Sequence, residues 1–201
     1  MTNRGLMTTR GPLPLSIHER FARGSGAATC HDLLLAGATD NDTERWMRQG
    51  VIERRGRNRY LLATGLTRTG YEGQREGHLR EVRAVTSVAL DAAVGLRSAA
   101  ILHGLPVIAV PADPEIIRSN NRGRLHGART LRLSLPETHQ VDVAGLRTTS
   151  LERTAVDVAL DLPVSSALVT VDAALRRGAR PSRMQQLLIE RGPYEAADPH
   201  G

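Results

Sequence analysis

The chain has 201 residues and a formal net charge of +6, and all 27 of its Lys-plus-Arg positions are arginine. The absence of lysine excludes a P-loop, a Schiff-base enzyme and the usual restriction-type nuclease core, each of which needs an amine at its centre. Aromatic residues make up 2% of the chain, too few for the stacking platforms of single-strand and RNA readers, and the lone Cys30 excludes an intramolecular disulfide framework.

The basic excess is uneven. Residues 15–69 carry nine arginines against six acids, whereas residues 70–201 carry sixteen against fifteen, so a polyanionic partner is expected at the N-terminal end. An arginine-only set is also what a GC-rich genome yields without any functional demand. No apolar run approaches the roughly 18 residues of a membrane span, so a soluble, cytoplasmic protein with no membrane partner is expected.

In chain order, residues 1–14 hold Arg4, Arg10 and two prolines without periodicity and are expected to form a flexible arm. Ser16 opens a short helix to about Ala22, with Ile17 and Phe21 at i, i+4, and Gly24-Ser25-Gly26 breaks it. Residues 28–62 then carry the most legible plan. His31 to Ala36 is a compact apolar helix ended by Gly37. Thr39 can cap a second helix over Asp40–Gln49, on which Thr43, Trp46 and Met47 face inward while Asn41, Glu44, Arg45 and Arg48 face outward. Gly50 stops it, and Val51-Ile52 and Tyr60-Leu61-Leu62 flank the arginine-dense stretch Glu53 to Arg59 as a hairpin.

Helix, turn, helix and basic hairpin predict a winged helix-turn-helix over residues 15–69 that contacts double-stranded DNA. Its DNA-binding candidates are Asn41, Arg45 and Arg48 on the second helix and Arg54, Arg57, Asn58 and Arg59 on the wing. Against this, Asp40, Asp42 and Glu44 crowd the first turn of that helix. The alternative is a protein-interaction module whose winged helix no longer binds DNA.

Residues 63–73, rich in Gly and Thr, mark the expected domain boundary. A second domain, residues 74–192, is predicted to begin with a helix over Gln74–Ala93 and a shorter one over Ser98–His103. Strands follow at 115–118, 130–135, 140–143 and 146–148, forming a small antiparallel sheet. Ser150 caps a helix to about Leu160, and helices at 164–177 and 181–190 follow. Residues 193–201 form an expected loose tail. The fold class expected is α+β: an N-terminal winged helix-turn-helix, then an α+β domain of small antiparallel sheet and surrounding helices.

Two constellations invite a chemical role and are expected not to have one. Ser98 and His103 lie about 140° apart on a helix, a poor geometry for a nucleophile and its base. Glu152, Asp157 and Asp161 could suggest a metal site, but helix-end and outward positions account for them. Arg153 is expected to pair with Asp157 at i, i+4 at the sheet–helix junction. No catalytic residue, cofactor or metal is expected, and the chain is not expected to be an enzyme.

Several runs together resemble a known family: Arg59-Tyr60-Leu61-Leu62 after the basic hairpin, Leu96-Arg97-Ser98-Ala99-Ala100-Ile101-Leu102-His103-Gly104-Leu105-Pro106, and Leu146-Arg147-Thr148-Thr149-Ser150-Leu151-Glu152-Arg153-Thr154-Ala155-Val156-Asp157. Over roughly residues 15–190 the chain resembles the AbiEi-type antitoxins of actinobacteria, the antitoxin half of type IV toxin–antitoxin pairs. The resemblance implies an N-terminal winged helix that binds operator DNA with inverted repeats and represses its own operon. It also implies a C-terminal domain that counters a nucleotidyltransferase-type toxin. No nuclease activity is carried over, since the chain lacks lysine.

Overall fold

The chain's one phenylalanine and one tryptophan, Phe21 and Trp46, are buried in a single cluster with Ile17, Leu33, Ile52 and Tyr60. That cluster organises the N-terminal part of a computed structural model, which describes residues 13–24, 26–55, 58–63, 70–89, 91–118, 125 and 127–191. Residues 1–12 of the expected arm, the expected tail, residues 64–69 of the expected boundary, and Asn120, Asn121 and Gly123, which the sequence marks as turn residues between the strands at 115–118 and 130–135, lie outside these. Losing either ring would cost about 3–5 kcal/mol, since a cavity would add to the lost transfer energy.

The order here is α1 (Leu15–Arg23), β1 (Ala27–Thr29), α2 (Cys30–Leu35), α3 (Asp40–Arg48), β2 (Ile52–Arg54) and β3 (Arg59–Leu62). The start of α2 and of α3 is written in the same way. The Thr29 and Thr39 hydroxyls accept from the amides of Asp32 and Asp42 at 3.0 and 3.2 Å, and each aspartate accepts from its threonine's own amide. Gly37 and Gly50, at φ +91° and +64°, turn the chain after each helix.

The three strands form an antiparallel sheet in the order β1-β3-β2. β1 was not anticipated: Ala27-Ala28-Thr29 is too short and too weakly β-forming to stand out, and it exists because β3 pairs with it. Side chains alternate across β3. Tyr60 joins the helical core, whereas Leu61 joins Ala27 of β1 and Ala84 in a separate cluster on the opposite face. The sheet is thus covered on both sides.

Ala84 belongs to α4 (Gly70–Thr86). The helix begins before residue 74 and ends before residue 93, the limits of the expected span. Its apolar face persists, but the Thr86 and Ser87 hydroxyls donate back to the carbonyls of Val82 and Ala84 at 2.9 Å, and the chain turns there. Ala93–Val94 is thereby released as β4, the central strand of the second sheet, rather than the end of a helix.

The remaining elements are α5 (Leu96–Leu102), β5 (Glu115–Arg118), β6 (Arg129–Arg132), β7 (Gln140–Val143), β8 (Leu146–Thr149), α6 (Leu151–Asp161), α7 (Val164–Arg176) and α8 (Pro181–Arg191). Among the described residues the protein is therefore a mixed α/β chain of eight α-helices and two small sheets. The second sheet has the order β6-β5-β4-β8-β7 and is mixed, not antiparallel as expected: β4 pairs with β8, and β5 with β6, in parallel. The stretch 119–128 between β5 and β6 is much longer than a hairpin loop, and this length lets β6 repeat the direction of β5. Ser150 caps α6 as anticipated, its hydroxyl accepting from the Arg153 amide at 3.3 Å.

Alanines bring the helices close. Ala100, Ala155 and Ala174 of α5, α6 and α7 meet in one buried cluster with Ile101 and Leu105. Gly95 precedes α5 for a comparable reason: a Cβ there would stand 2.6 Å from Ile117 Cδ1.

Candidate nucleic-acid interface

On α3 the inward side chains are Thr43 and Trp46, both buried, and the half-buried Met47, as the helical spacing requires. Asn41, Arg45 and Arg48 are exposed, and so are Asp40 and Glu44. Asp42 is spoken for. Its carboxylate accepts from the Thr39 hydroxyl at 2.6 Å and the Thr39 amide at 3.0 Å, and those two bonds hold its pKa below the usual aspartate value. Its other oxygen takes Arg45 Nη2 at 2.6 Å, and the Arg45 guanidinium stands 6.0 Å from the Trp46 ring centroid. One of the three acids in the first turn is thus neutralised within the helix, and Arg45 is pre-positioned by it.

The hairpin distributes its polar residues differently from the expectation. Arg54 is exposed on β2, and Arg57 lies outside the described residues. Asn58 has a structural bond: its Oδ1 accepts from the Cys30 amide at 3.0 Å, tying the end of the hairpin to the first turn of α2. Arg59 is not at an exposed tip. It is 5% exposed, and its alternation with Tyr60 turns it to the side of the sheet that faces Glu81 of α4 and Gly127. A Cβ on Gly127 would lie 2.8 Å from Arg59 Nη2.

Around Arg59 the two sheets' flanking elements form a cleft of about 300 Å³ that also takes Arg54, Arg55, Glu81 and Asp113. Burial pushes the Glu81 carboxyl above its ordinary pKa, while Arg55, 3.5 Å away, pulls it down. The Arg80 guanidinium donates to the Leu62 carbonyl close by. These arginines hold the hairpin against α4. The signal for Arg59 was present in the strand's period of two, but it could be used only once a partner for the second face of the sheet was known.

Ser98 pairs not with His103 but with His78 of α4, at 2.8 Å. Its hydroxyl also accepts from the Glu115 amide at 2.8 Å. Burial pushes the His78 pKa down to about 4, leaving the ring neutral at neutral pH. Ser98 is wholly buried, so this pair is a clamp between α4, α5 and β5 with no route for a substrate. His103 Nε2 instead meets the Thr149 carbonyl at 2.7 Å.

The three carboxylates weighed as a metal set go to separate arginine partners, four in all. Glu152 meets Arg180, Asp161 meets Arg129, and Asp157 meets Arg153 and Arg191. Asp157 was expected on an outward position but is 1% exposed, because Arg153 is buried alongside it. Among the described residues no group of three His, Cys, Asp or Glu is placed to hold a metal. Glu115, also fully buried, is held by Arg97 at 2.5 Å and Arg129 at 3.2 Å. No described helix is long and apolar enough to cross a membrane. No family model matches the chain, and no curated protein matches it.

Proposed function

We propose that the protein is a DNA-binding antitoxin and autorepressor. Residues 15–62 act as a winged helix-turn-helix with α3 as the recognition helix, and the region from α4 onward counters a nucleotidyltransferase-type toxin. The observation that carries the DNA-binding part is α3 itself: a doubly capped helix fixed by Trp46, with Asn41, Arg45 and Arg48 all on its exposed face. The order helix, strand, helix, helix, hairpin with sheet order β1-β3-β2 supports it, because that is the arrangement a winged helix requires. The antitoxin part rests on the sequence resemblance alone.

Exposed Asp40 and Glu44 beside those arginines favour the second reading, a protein-interaction module without DNA affinity. One experiment separates the two. Titration of the inverted repeat upstream of the protein's own gene at 50 and 200 mM salt should show affinity falling steeply with salt, as counterion release demands. Absent or salt-insensitive binding would favour the interaction module. Co-expression with the product of the adjacent gene tests the antitoxin part: rescue of growth is expected, and no effect on toxicity would remove that part.

A further inference from the structure

We propose a second anion site, remote in sequence from α3: a cleft that binds a phosphate group through Arg23, Arg83 and Arg147. These three residues, from the end of α1, the last turns of α4 and strand β8, line one open cavity of about 570 Å³. Its floor is small and apolar, with Ala89, Ala92 and Leu146, and the β7–β8 turn closes one side.

The cleft brings together three arginines that lack a carboxylate partner among the described residues. At least twelve described arginines make an ion pair with a carboxylate. Arg23, Arg83 and Arg147 make none among the described residues. The one carboxylate among the described lining residues, Asp142, stands opposite Arg147 across β7 and β8, yet its Oδ1 accepts from the Gly145 amide at 2.9 Å. It thereby stabilises a turn in which Ala144 and Gly145 both have positive φ, +53° and +77°. Alanine is a poor residue for that conformation, so Asp142 is held by the turn instead of quenching the arginines.

Three guanidinium groups around one cavity repel one another, and an anion that enters relieves the repulsion. Among the described lining residues, three arginines against one carboxylate leave a net charge of two, which matches a phosphate dianion, and planar guanidinium forks suit its oxygens. The remaining volume and apolar floor accommodate a small organic body. Among the described residues no aromatic side chain lines the cleft, so a stacked nucleobase is not what it selects. The phosphate could be carried by a free metabolite or by a nucleic-acid backbone; the chemistry is shared, and the test separates the sources.

Thermal unfolding and calorimetric titration of the full chain with inorganic phosphate, against chloride at equal ionic strength, should show a raised Tm and saturable binding. Arg147→Ala should weaken phosphate binding by about tenfold, the loss expected for one charge-assisted bond, and Arg83→Ala/Arg147→Ala should abolish the Tm rise. Arg147 is exposed, so its variant keeps the fold, which circular dichroism checks. Arg176→Ala is the control for net charge, since Arg176 lies on α7 outside the cleft, and it should leave phosphate affinity unchanged. The site is overturned if phosphate and chloride act alike, if the double variant keeps the phosphate shift, or if Arg176→Ala loses as much as Arg147→Ala. A random-sequence duplex identifies the source: weaker duplex binding by Arg147→Ala assigns the site to backbone phosphates, and unchanged duplex binding assigns it to a free phosphate ester. The phosphate shift stands or falls without reference to operator binding.

Discussion

Arg153 Nε donates to both oxygens of Asp157 at 2.9 Å, one helical turn away on α6, and each residue is 1% exposed. The same guanidinium donates through Nη1 to His139 Nδ1 at 2.9 Å and through Nη2 to the Ser134 carbonyl at 3.2 Å. A single buried side chain thus joins α6 to the segment between β6 and β7.

Removing Arg153 strips the buried Asp157 carboxylate of the nearer of its two arginines and leaves it only Arg191 at 3.2 Å. Arg153→Ala should therefore cost about 3–5 kcal/mol of unfolding free energy, measured by urea denaturation. The double variant Arg153→Met/Asp157→Leu, of similar volume and without charge, should be less destabilised than the single one. If Arg153→Ala costs under about 1 kcal/mol, the pair is not what joins these elements.

Stability should fall on acidification from about pH 6.5 toward pH 4. Burial pushes His78 down to about 4, and burial followed by the Arg153 charge pushes His139 down as well. Arg153 can only donate, so His139 accepts at Nδ1 and its Nε2–H faces Glu190 at 3.2 Å; a second ring proton would point at the guanidinium. Between the two pKa values the unfolded chain binds protons that the folded chain refuses, so unfolding free energy rises with pH across this window. Each histidine contributes at most about 1.4 kcal/mol per pH unit. Glu81, pushed up by burial, acts with the opposite sign. His78→Asn should flatten the slope whatever it does to absolute stability, and an unchanged slope would mean that His78 titrates normally in the fold.

Asn58→Ala should cost about 0.5–2 kcal/mol, because its Oδ1 serves the Cys30 amide at the start of α2. Asn58→Asp keeps an acceptor there and adds favourable charge at a helix N-terminus, so it should restore most of the loss. Equal stability of Asn58→Ala and wild type in thermal melts would sink this assignment.

What could be read from the sequence divides along physical lines. The starts of α3 and α6 and the turns after α2 and α3 were legible because their signals are local: Thr39 with Asp42, Ser150 with the Arg153 amide, Gly37 and Gly50 at positive φ. The start of α1 was not, since Ser16 lies inside the helix and its hydroxyl donates to the Ala36 carbonyl instead of capping it. The Arg153–Asp157 pair was legible because i, i+4 spacing sets the geometry. What escaped depends on distant partners. β1 and β4 are three- and two-residue strands that exist through pairing with β3, β5 and β8. Nothing within 119–128 dictates that β5 and β6 run parallel. Arg59 sits among arginines that would suit any solvated hairpin, and only the packing of α4 across the sheet buries it.

That burial divides the candidate DNA contacts into separable groups, under the function proposed above. Arg48 is exposed on the last turn of α3 without a carboxylate partner among the described residues, so Arg48→Ala should cost about 1–3 kcal/mol on the operator and less on random duplex if it reads a base. Arg45 must leave Asp42 to do the same, so its replacement should cost less than that of Arg48. Arg54→Ala, on the exposed hairpin, should weaken all duplexes alike and lower the salt slope by roughly one. Arg59→Ala should leave the ratio of specific to random affinity unchanged and instead lower the melting temperature, since it supports the seam against α4. Titrations of the four variants on both duplexes at two salt concentrations, with melts alongside, decide the matter. A loss of operator affinity in Arg59→Ala with an unchanged melting temperature would return that residue to the DNA surface, and four unchanged affinities would leave the α3 face without a DNA role.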